Sequence, residues 1–424
     1  MNRKNNKFLI TDFIFFILSI ITISIFENKI ELKLIGILLF LCSTMMCIKS
    51  KDNKLLLILI SIITVINMSV AINDMFLLGK NVANWQSYGL RSDIINNKFA
   101  EAILIFNVVF SLFLNNIKKE KNININNVRK NNWFITLFYS LITYSILLYG
   151  FTIFIKMTGS NYVSISNPIF EYSVLIWIFI WFYSKNNKFF NLIFMVYITV
   201  YIVVFSMLGD RSSVFLYFIL FIIIYLYKYL SIFRIMAITV FGILVSNTIG
   251  VFRDNMNEGI FEIFVLSLKK GLYIDTVSYS YYTSLAISSL YSLEENTFKF
   301  LTGTLKDIFL GIESPYRNLA QYSQQNYSWL YNNYGGIFPS HVYAIGGLLS
   351  VVISAILLGL LINLIFNSSN KYSFIYKVVI TIYSIRWYLY NPSLILSVVI
   401  LNTTILLIIT IIIEFVTSKK HRIE

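Results

Sequence analysis

Three residues carry most of the chemistry this sequence offers. His341, in Phe338-Pro339-Ser340-His341-Val342-Tyr343, is one of 2 histidines; the other, His421, sits in the terminal run Lys419-Lys420-His421-Arg422. An imidazole is the side chain best suited to move a proton near neutral pH. Arg211, in Gly209-Asp210-Arg211-Ser212-Ser213, and Arg253, in Gly250-Val251-Phe252-Arg253-Asp254, each follow or precede an aspartate at the edge of an apolar stretch. A guanidinium is a planar fork of donors that fits phosphate oxygens two at a time. Two on one side of a membrane could clamp a pyrophosphate, which carries more charge than one neutralises. Arg317 and Arg386 are reserve candidates for the same task. Plainer roles compete: a snorkelling Arg211 paired with Asp210, an ordinary boundary Arg253, a structural histidine.

Other devices are missing from the sequence. There is no Walker loop, GxGxxG, HExxH or GxSxG. No Cys/His cluster has metal-ligand spacing, and no Asp-x-Asp pair suggests a sugar-nucleotide site. The 2 cysteines, Cys42 and Cys47, lie inside an apolar run, which excludes a disulfide scaffold. The expected chemistry uses no cofactor and no metal.

The elements that position these residues follow from composition. Hydrophobic residues make up 57% of the 424, charged residues only 13%, and mean hydropathy is +0.73. A soluble chain carries about a quarter charged residues, so an ordinary globular enzyme and a disordered chain are both excluded. Long apolar stretches, rather than short alternating ones, indicate an all-α integral membrane protein and not a β-barrel. Twelve spans are expected, over 8–26, 31–48, 55–78, 99–116, 133–155, 168–184, 189–208, 213–229, 232–250, 341–366, 373–390 and 393–416. The first reads as a retained helix, since no cleavage site follows it.

Twelve spans put both termini on one side. With a cytoplasmic N-terminus, 20 of the 34 basic residues fall in inside loops and 8 in short outside segments. The net charge of +14 is therefore topogenic and no sign of nucleic acid. The basic stretch 117–132 suits anionic lipid. The chain divides into spans one to nine (1–250), a long outer loop (251–338) and spans ten to twelve (339–424). The loop carries Arg253, Lys269, Lys270, Lys299, Lys306 and Arg317 against eight acids, together with 10 of the 29 tyrosines and Trp329. A loop so long, without low complexity, is expected to be folded and functional. Part of it, 258–293, has helical apolar spacing suited to the membrane interface. Its tyrosines suit sugar faces and interfacial positions alike. Asp12, Asp74, Glu101 and Glu171 sit at or near span interiors and read mostly as span-end residues.

Arg211, Arg253 and His341 thus share the outer face. There a lipid-linked pyrophosphate could be held by the arginines, which stabilise charge growing on a leaving group. The histidine would take the proton of an acceptor hydroxyl. That is glycosyl transfer from an already activated donor.

At this point the chain resembles the O-antigen polymerase (Wzy-type) family of bacterial membrane glycosyltransferases and the related O-antigen ligases. The matching stretches are Ser206-Met207-Leu208-Gly209-Asp210-Arg211-Ser212-Ser213 before an apolar helix, Arg253 at the start of the long loop, and Pro339-Ser340-His341 before Gly346-Gly347-Leu348-Leu349 and Gly359. The resemblance implies a fold of the GT-C type, a site at the periplasmic face of the bacterial inner membrane, and inverting, metal-independent transfer. It implies that Arg211 and Arg253 bind undecaprenyl pyrophosphate and that His341 is the base. Partners are then undecaprenyl-pyrophosphate-linked glycans as donor and acceptor, the lipid bilayer and, by the resemblance alone, a chain-length regulator. The further outer arginines, Arg317 and Arg386, leave the second pyrophosphate ligand open. The rival readings are an O-antigen ligase transferring polymer to lipid A-core and, from another class, a lipid-linked oligosaccharide flippase or transporter. The latter calls for several ionisable residues lining a path at mid-span. A carboxylate-dependent glycosyltransferase would place its base in the very short first outer loop, Phe26-Glu27-Asn28-Lys29-Ile30-Glu31. A membrane acyltransferase calls for a different set of His and acidic residues.

Overall fold

A computed structural model describes residues 17–19, 29–77, 98–119, 129–156, 168–185, 188–207, 211–254, 259–270, 274–292, 297–310, 318–327, 330 and 335–420. Among them there is no strand, only an isolated bridge between Asn131 and Ser184. The helices are α1 (Lys29–Ser50), α2 (Lys54–Ser69), α3 (Lys98–Leu114), α4 (Trp133–Lys156), α5 (Pro168–Tyr183), α6 (Lys188–Met207), α7 (Arg211–Phe221) and α8 (Ile232–Asp254). There follow α9 (Ile260–Lys270), α10 (Asp275–Ser289), α11 (Thr297–Leu310), α12 (Leu319–Asn326), α13 (Phe338–Asn367), α14 (Lys371–Ile382), α15 (Ser384–Leu389) and α16 (Thr403–Lys420). Wider π turns extend α2 over Val70–Phe76 and α7 over Ile222–Leu226, and precede α16 over Ile395–Asn402.

Seven helices among the described residues are long and apolar enough to cross a membrane: Leu32–Ser50, Lys54–Phe76, Trp133–Thr152, Lys188–Ser206, Ser212–Tyr229, Phe338–Asn367 and Ile395–Thr417. Ile169–Tyr183 and Ile232–Leu244 are shorter apolar helices. The protein is an all-α, membrane-embedded chain. Helices are what a spanning backbone requires, because each N–H and C=O is then satisfied within its own segment. Outward-facing Trp133, Leu141, Leu148, Leu349 and Leu364 are exposed, as a lipid-facing surface demands. Asparagine, abundant in this sequence, starts several helices. The side chains of Asn53, Asn132, Asn318 and Asn370 accept from Leu56 N, Ile135 N, Gln321 N and Tyr372 N. Such caps contribute about 1 kcal/mol each.

Two expected elements differ from the structure. The stretch 373–390 is two helices, α14 and α15, parted at Tyr383. The stretch 258–293, read as helical and suited to the interface, holds two helices, only one of which exposes an apolar face. Its first part, α9, exposes Phe261, Phe264 and Leu268, but α10 is buried from Val277 to Ser288 with Tyr279 the one partly exposed position. The first expected span, 8–26, lies outside the described residues apart from 17–19.

The chain forms two compact units. The first comprises Met1–Lys119, Ser231–Asn367 and Ser384–Leu394. In it α13 packs along α3. Gly359 lets the backbones approach, since a Cβ there would come 2.5 Å from the Phe113 ring. Asn363 Nδ2 donates to Phe113 O at 3.1 Å. A closed polar network ties α2, α3 and α15 together. Asn67 Nδ2 donates to Asn107 Oδ1 (2.9 Å), Asn107 Nδ2 to Tyr388 OH (3.2 Å), and Tyr388 OH to Asn67 Oδ1 (2.7 Å). All three residues are buried. Interhelical bonds of this kind stabilise by about 0.6–2 kcal/mol each and set register.

The second unit comprises Glu120–Leu230, Ser368–Tyr383 and Ile395–Glu424. An aromatic block of Trp177, Tyr197, Tyr201 and Tyr217 fills its core, with Tyr217 OH 2.7 Å from Ser173 Oγ. Before α4, Arg129 is buried against Trp181, donating to Trp181 O and Ser184 O. Lys130 Nζ meets Glu414 at 2.8 Å and Tyr372 OH at 2.8 Å.

Candidate functional site

The first unit holds His341, and the local geometry follows from three glycines. Gly335 has φ +81°, a left-handed conformation. A Cβ there would come 2.7 Å from Tyr390 Cα, so α15 and the residues after it press on this link. At Gly336 a Cβ would lie 2.5 Å from Ile287 Cδ1 and 2.9 Å from His341 Nε2. The bare Gly336 backbone therefore forms one wall beside the imidazole. Gly347 has φ +62° and ψ −152° and breaks α13 after its second turn. The hydroxyl of Ser350 accommodates the break, donating to Gly347 O at 2.8 Å and to Val342 O. His341 thus sits on a short helical piece, 338–345, separated from the long apolar remainder. Non-helical backbone at membrane depth is tolerated where protein or a cavity surrounds it.

His341 is nine-tenths buried, and its Nε2 has no hydrogen-bond partner among the described residues. Helix α10 forms the facing wall. Ser284 Oγ accepts from Ile337 N at 2.7 Å, and Tyr291, just beyond α10, meets Tyr343 with ring centroids 5.4 Å apart. A Cβ at Gly347 would lie 3.0 Å from the Tyr291 ring. On the other side Trp387 of α15 meets Phe338 edge-on at 6.1 Å.

Arg386 belongs to that same α15, half-buried, its guanidinium 4.7 Å from the Tyr390 ring. A cation over an aromatic face is held without losing its donors' outward reach. The structure therefore brings Arg386 and His341 onto segments that pack together through Gly335, Tyr390, Phe338 and Trp387. Arg253 lies one residue from the end of α8, in the same unit. Arg211 opens α7 in the second unit. The next residue, Ser212, donates to Glu171 Oε1 at 2.8 Å. Arg317, Asp210 and Asp12 lie outside the described residues.

Asp74 was expected near a solvated span end, and the structure corrects this. It lies in the π turn after α2 with no exposed surface. Ser278 Oγ donates to its Oδ2 at 3.1 Å and Tyr282 OH to its Oδ1 at 3.4 Å. Burial first, and the nearby Asp74 carboxylate second, push the Tyr281 phenol well above its usual range. π turns recur at functional sites. The signal was present in the sequence. No charged residue interrupts the hydroxyl-rich run between Asp275 and Glu294, which an exposed loop helix would not sustain. Tyr281 and Tyr282 are buried, so these two serve neither a sugar face nor an interfacial belt.

No group of His, Cys, Asp and Glu among the described residues has the arrangement of a metal site. No family model, curated protein or solved structure matches the chain.

Proposed function

We propose that the protein is an inner-membrane polymerase of undecaprenyl-pyrophosphate-linked oligosaccharide repeat units, for O-antigen or a similar surface polysaccharide. The observation that carries this reading is His341: a buried imidazole with an unpartnered Nε2, on a helix packed against the one bearing Arg386. The resemblance in the stretches around Arg211, Arg253 and His341 supplies the substrate class. In this reading twelve helices cross the membrane with both termini cytoplasmic, the site faces the periplasm, and the fold is of the GT-C type.

The reaction needs one proton acceptor and one anion holder. The acceptor sugar hydroxyl gives its proton to His341 Nε2, and its oxygen attacks the anomeric carbon of the growing chain. The bond from that carbon to the pyrophosphate breaks, and the electron pair leaves on undecaprenyl pyrophosphate. Arg211, Arg253 and Arg386 are the candidates to hold that charge, and guanidinium groups suit it because they bind oxygens two at a time. Attack opposite the leaving group inverts the anomeric centre.

The experiment is complementation of a deletion strain. His341→Ala is expected to abolish polymer at unchanged protein level, and Arg211→Lys to impair it. Normal polymer from His341→Ala would remove the assigned base; full activity of Arg211→Lys would reduce Arg211 to a boundary residue.

A further inference from the structure

Most hydroxyls of α10 with an assigned partner bond back into their own helix, and Ser278 reaches Asp74 instead. Thr283 and Ser284 donate to the carbonyls of Tyr279 and Ser280, and Ser289 to that of Leu285, each four residues back. This is the usual way a hydroxyl is satisfied inside a helix. Ser288 is buried as well, yet its Oγ has no hydrogen-bond partner among the described residues. A buried polar atom left alone in a native structure marks a place where something else completes it.

Register places Ser288. Ser284, Ser288 and Tyr291 lie on one face of the helix at i, i+4 and i+7. Ser284 touches Ile337, and Tyr291 touches Tyr343 and Gly347. Ser288 lies between them along the helix, next to Ile287, whose side chain reaches the Gly336 wall beside His341. Two unpartnered buried polar atoms, a hydroxyl and an imidazole nitrogen, thus lie on the same packed helix pair. Ser340 does not compete for either, because its hydroxyl donates to Ile337 O at 2.8 Å.

We propose that Ser288 and His341 form a two-point subsite for the acceptor hydroxyl, with Ser288 as its positioning residue. This rests on the polymerase reading. The acceptor hydroxyl donates its proton to His341 Nε2, and Ser288 Oγ–H donates to a lone pair of the acceptor oxygen. The remaining lone pair is left for the anomeric carbon. The proton of Ser288 stays on its own oxygen throughout, so the serine orients and His341 alone accepts.

The test uses the full-length protein in lipid nanodiscs and, as probe, the lipid-linked repeat units extracted from the source strain lacking this gene. Ser288→Ala is expected to raise the half-saturating concentration of units about three- to tenfold, with kcat within twofold and thermal stability no lower than wild type. Ser288→Cys, a weaker donor of similar size, is expected to fall between. His341→Ala is expected to lose turnover. If wild type elongates the units and Ser288→Ala matches it at every concentration, the subsite is overturned while the polymerase reading stands. If Ser288→Ala instead lowers stability and kcat together, the serine is structural and the subsite is again overturned. If wild type does not elongate the units, the polymerase reading and the subsite fall together.

Discussion

Gly347→Ala tests whether the break in α13 holds His341 in place. Gly347 has φ +62° and ψ −152°, a region that only glycine occupies without strain. A side chain forced there costs about 1–3 kcal/mol. The added Cβ would also come 3.0 Å from Tyr291 Cζ and 3.1 Å from its hydroxyl, so the ring must give way. A loss of about 2 kcal/mol lowers the melting temperature of a domain-sized unit by roughly 4–8 °C. Gly346→Ala is the control. Its φ of −159° is open to any residue, and its nearest new contact is Ser350 Cβ at 3.1 Å, so the loss stays below about 1 kcal/mol. The assay is thermal unfolding in detergent at one fixed scan rate, which ranks variants even where unfolding is irreversible. Elongation activity should fall with Gly347→Ala and not with Gly346→Ala. Equal melting temperatures for the two variants and wild type would refute the reasoning.

Other outcomes follow from the same structure. Asp74→Asn keeps one acceptor and puts an amide donor at the other position, to which a hydroxyl oxygen can turn as acceptor, and should melt within a few degrees of wild type. Asp74→Ala removes the acceptor of both buried hydroxyls, a loss of about 1–3 kcal/mol, and should melt clearly lower; the reverse order would contradict the assigned contacts. Burial lowers the Lys130 pKa, but hydrogen bonds to Glu414 and Tyr372 outweigh it, and the net shift is upward. Its stabilisation is therefore complete below the ordinary lysine value of about 10.5 and is lost as pH rises through the higher folded value. Melting curves from pH 8 to about 11.5 should show wild type losing an advantage, on the order of 1 kcal/mol, that Glu414→Gln lacks at every pH. Parallel curves would exclude the pair as a source of stability.

The membrane class was legible because lipid imposes so strong a rule on the backbone. Long apolar runs such as 55–78 and 341–366 have few structures open to them, and the helices Lys54–Phe76 and Phe338–Asn367 stand there. Interruptions were less legible. The break at Gly346-Gly347 depends on what faces it, here Tyr291, and no local pattern reports a partner more than fifty residues away. The parting of α14 from α15 at Tyr383 has no glycine or proline to mark it; Pro392 lies beyond both. In the site, His341 stood out because histidine is so rare in this chain. Ser288 and Gly336 did not, and Asp74 was noted only as a span-end acid. Each matters through burial and a missing or unusual partner, and these are properties of packing between α2, α10 and α13. Their one sequence trace is the charge-free hydroxyl run of α10, which reads equally well as an interfacial helix until its neighbours are known.

The central claim is most directly tested by a gel of surface polysaccharide from the source strain with this gene deleted. The account predicts that the ladder collapses to a core bearing a single repeat unit, because units are still made, exported and attached but no longer joined. Lipid-linked polymer accumulating with no units on the core would contradict it in favour of a ligase, and loss of both would place the protein at export or an earlier step.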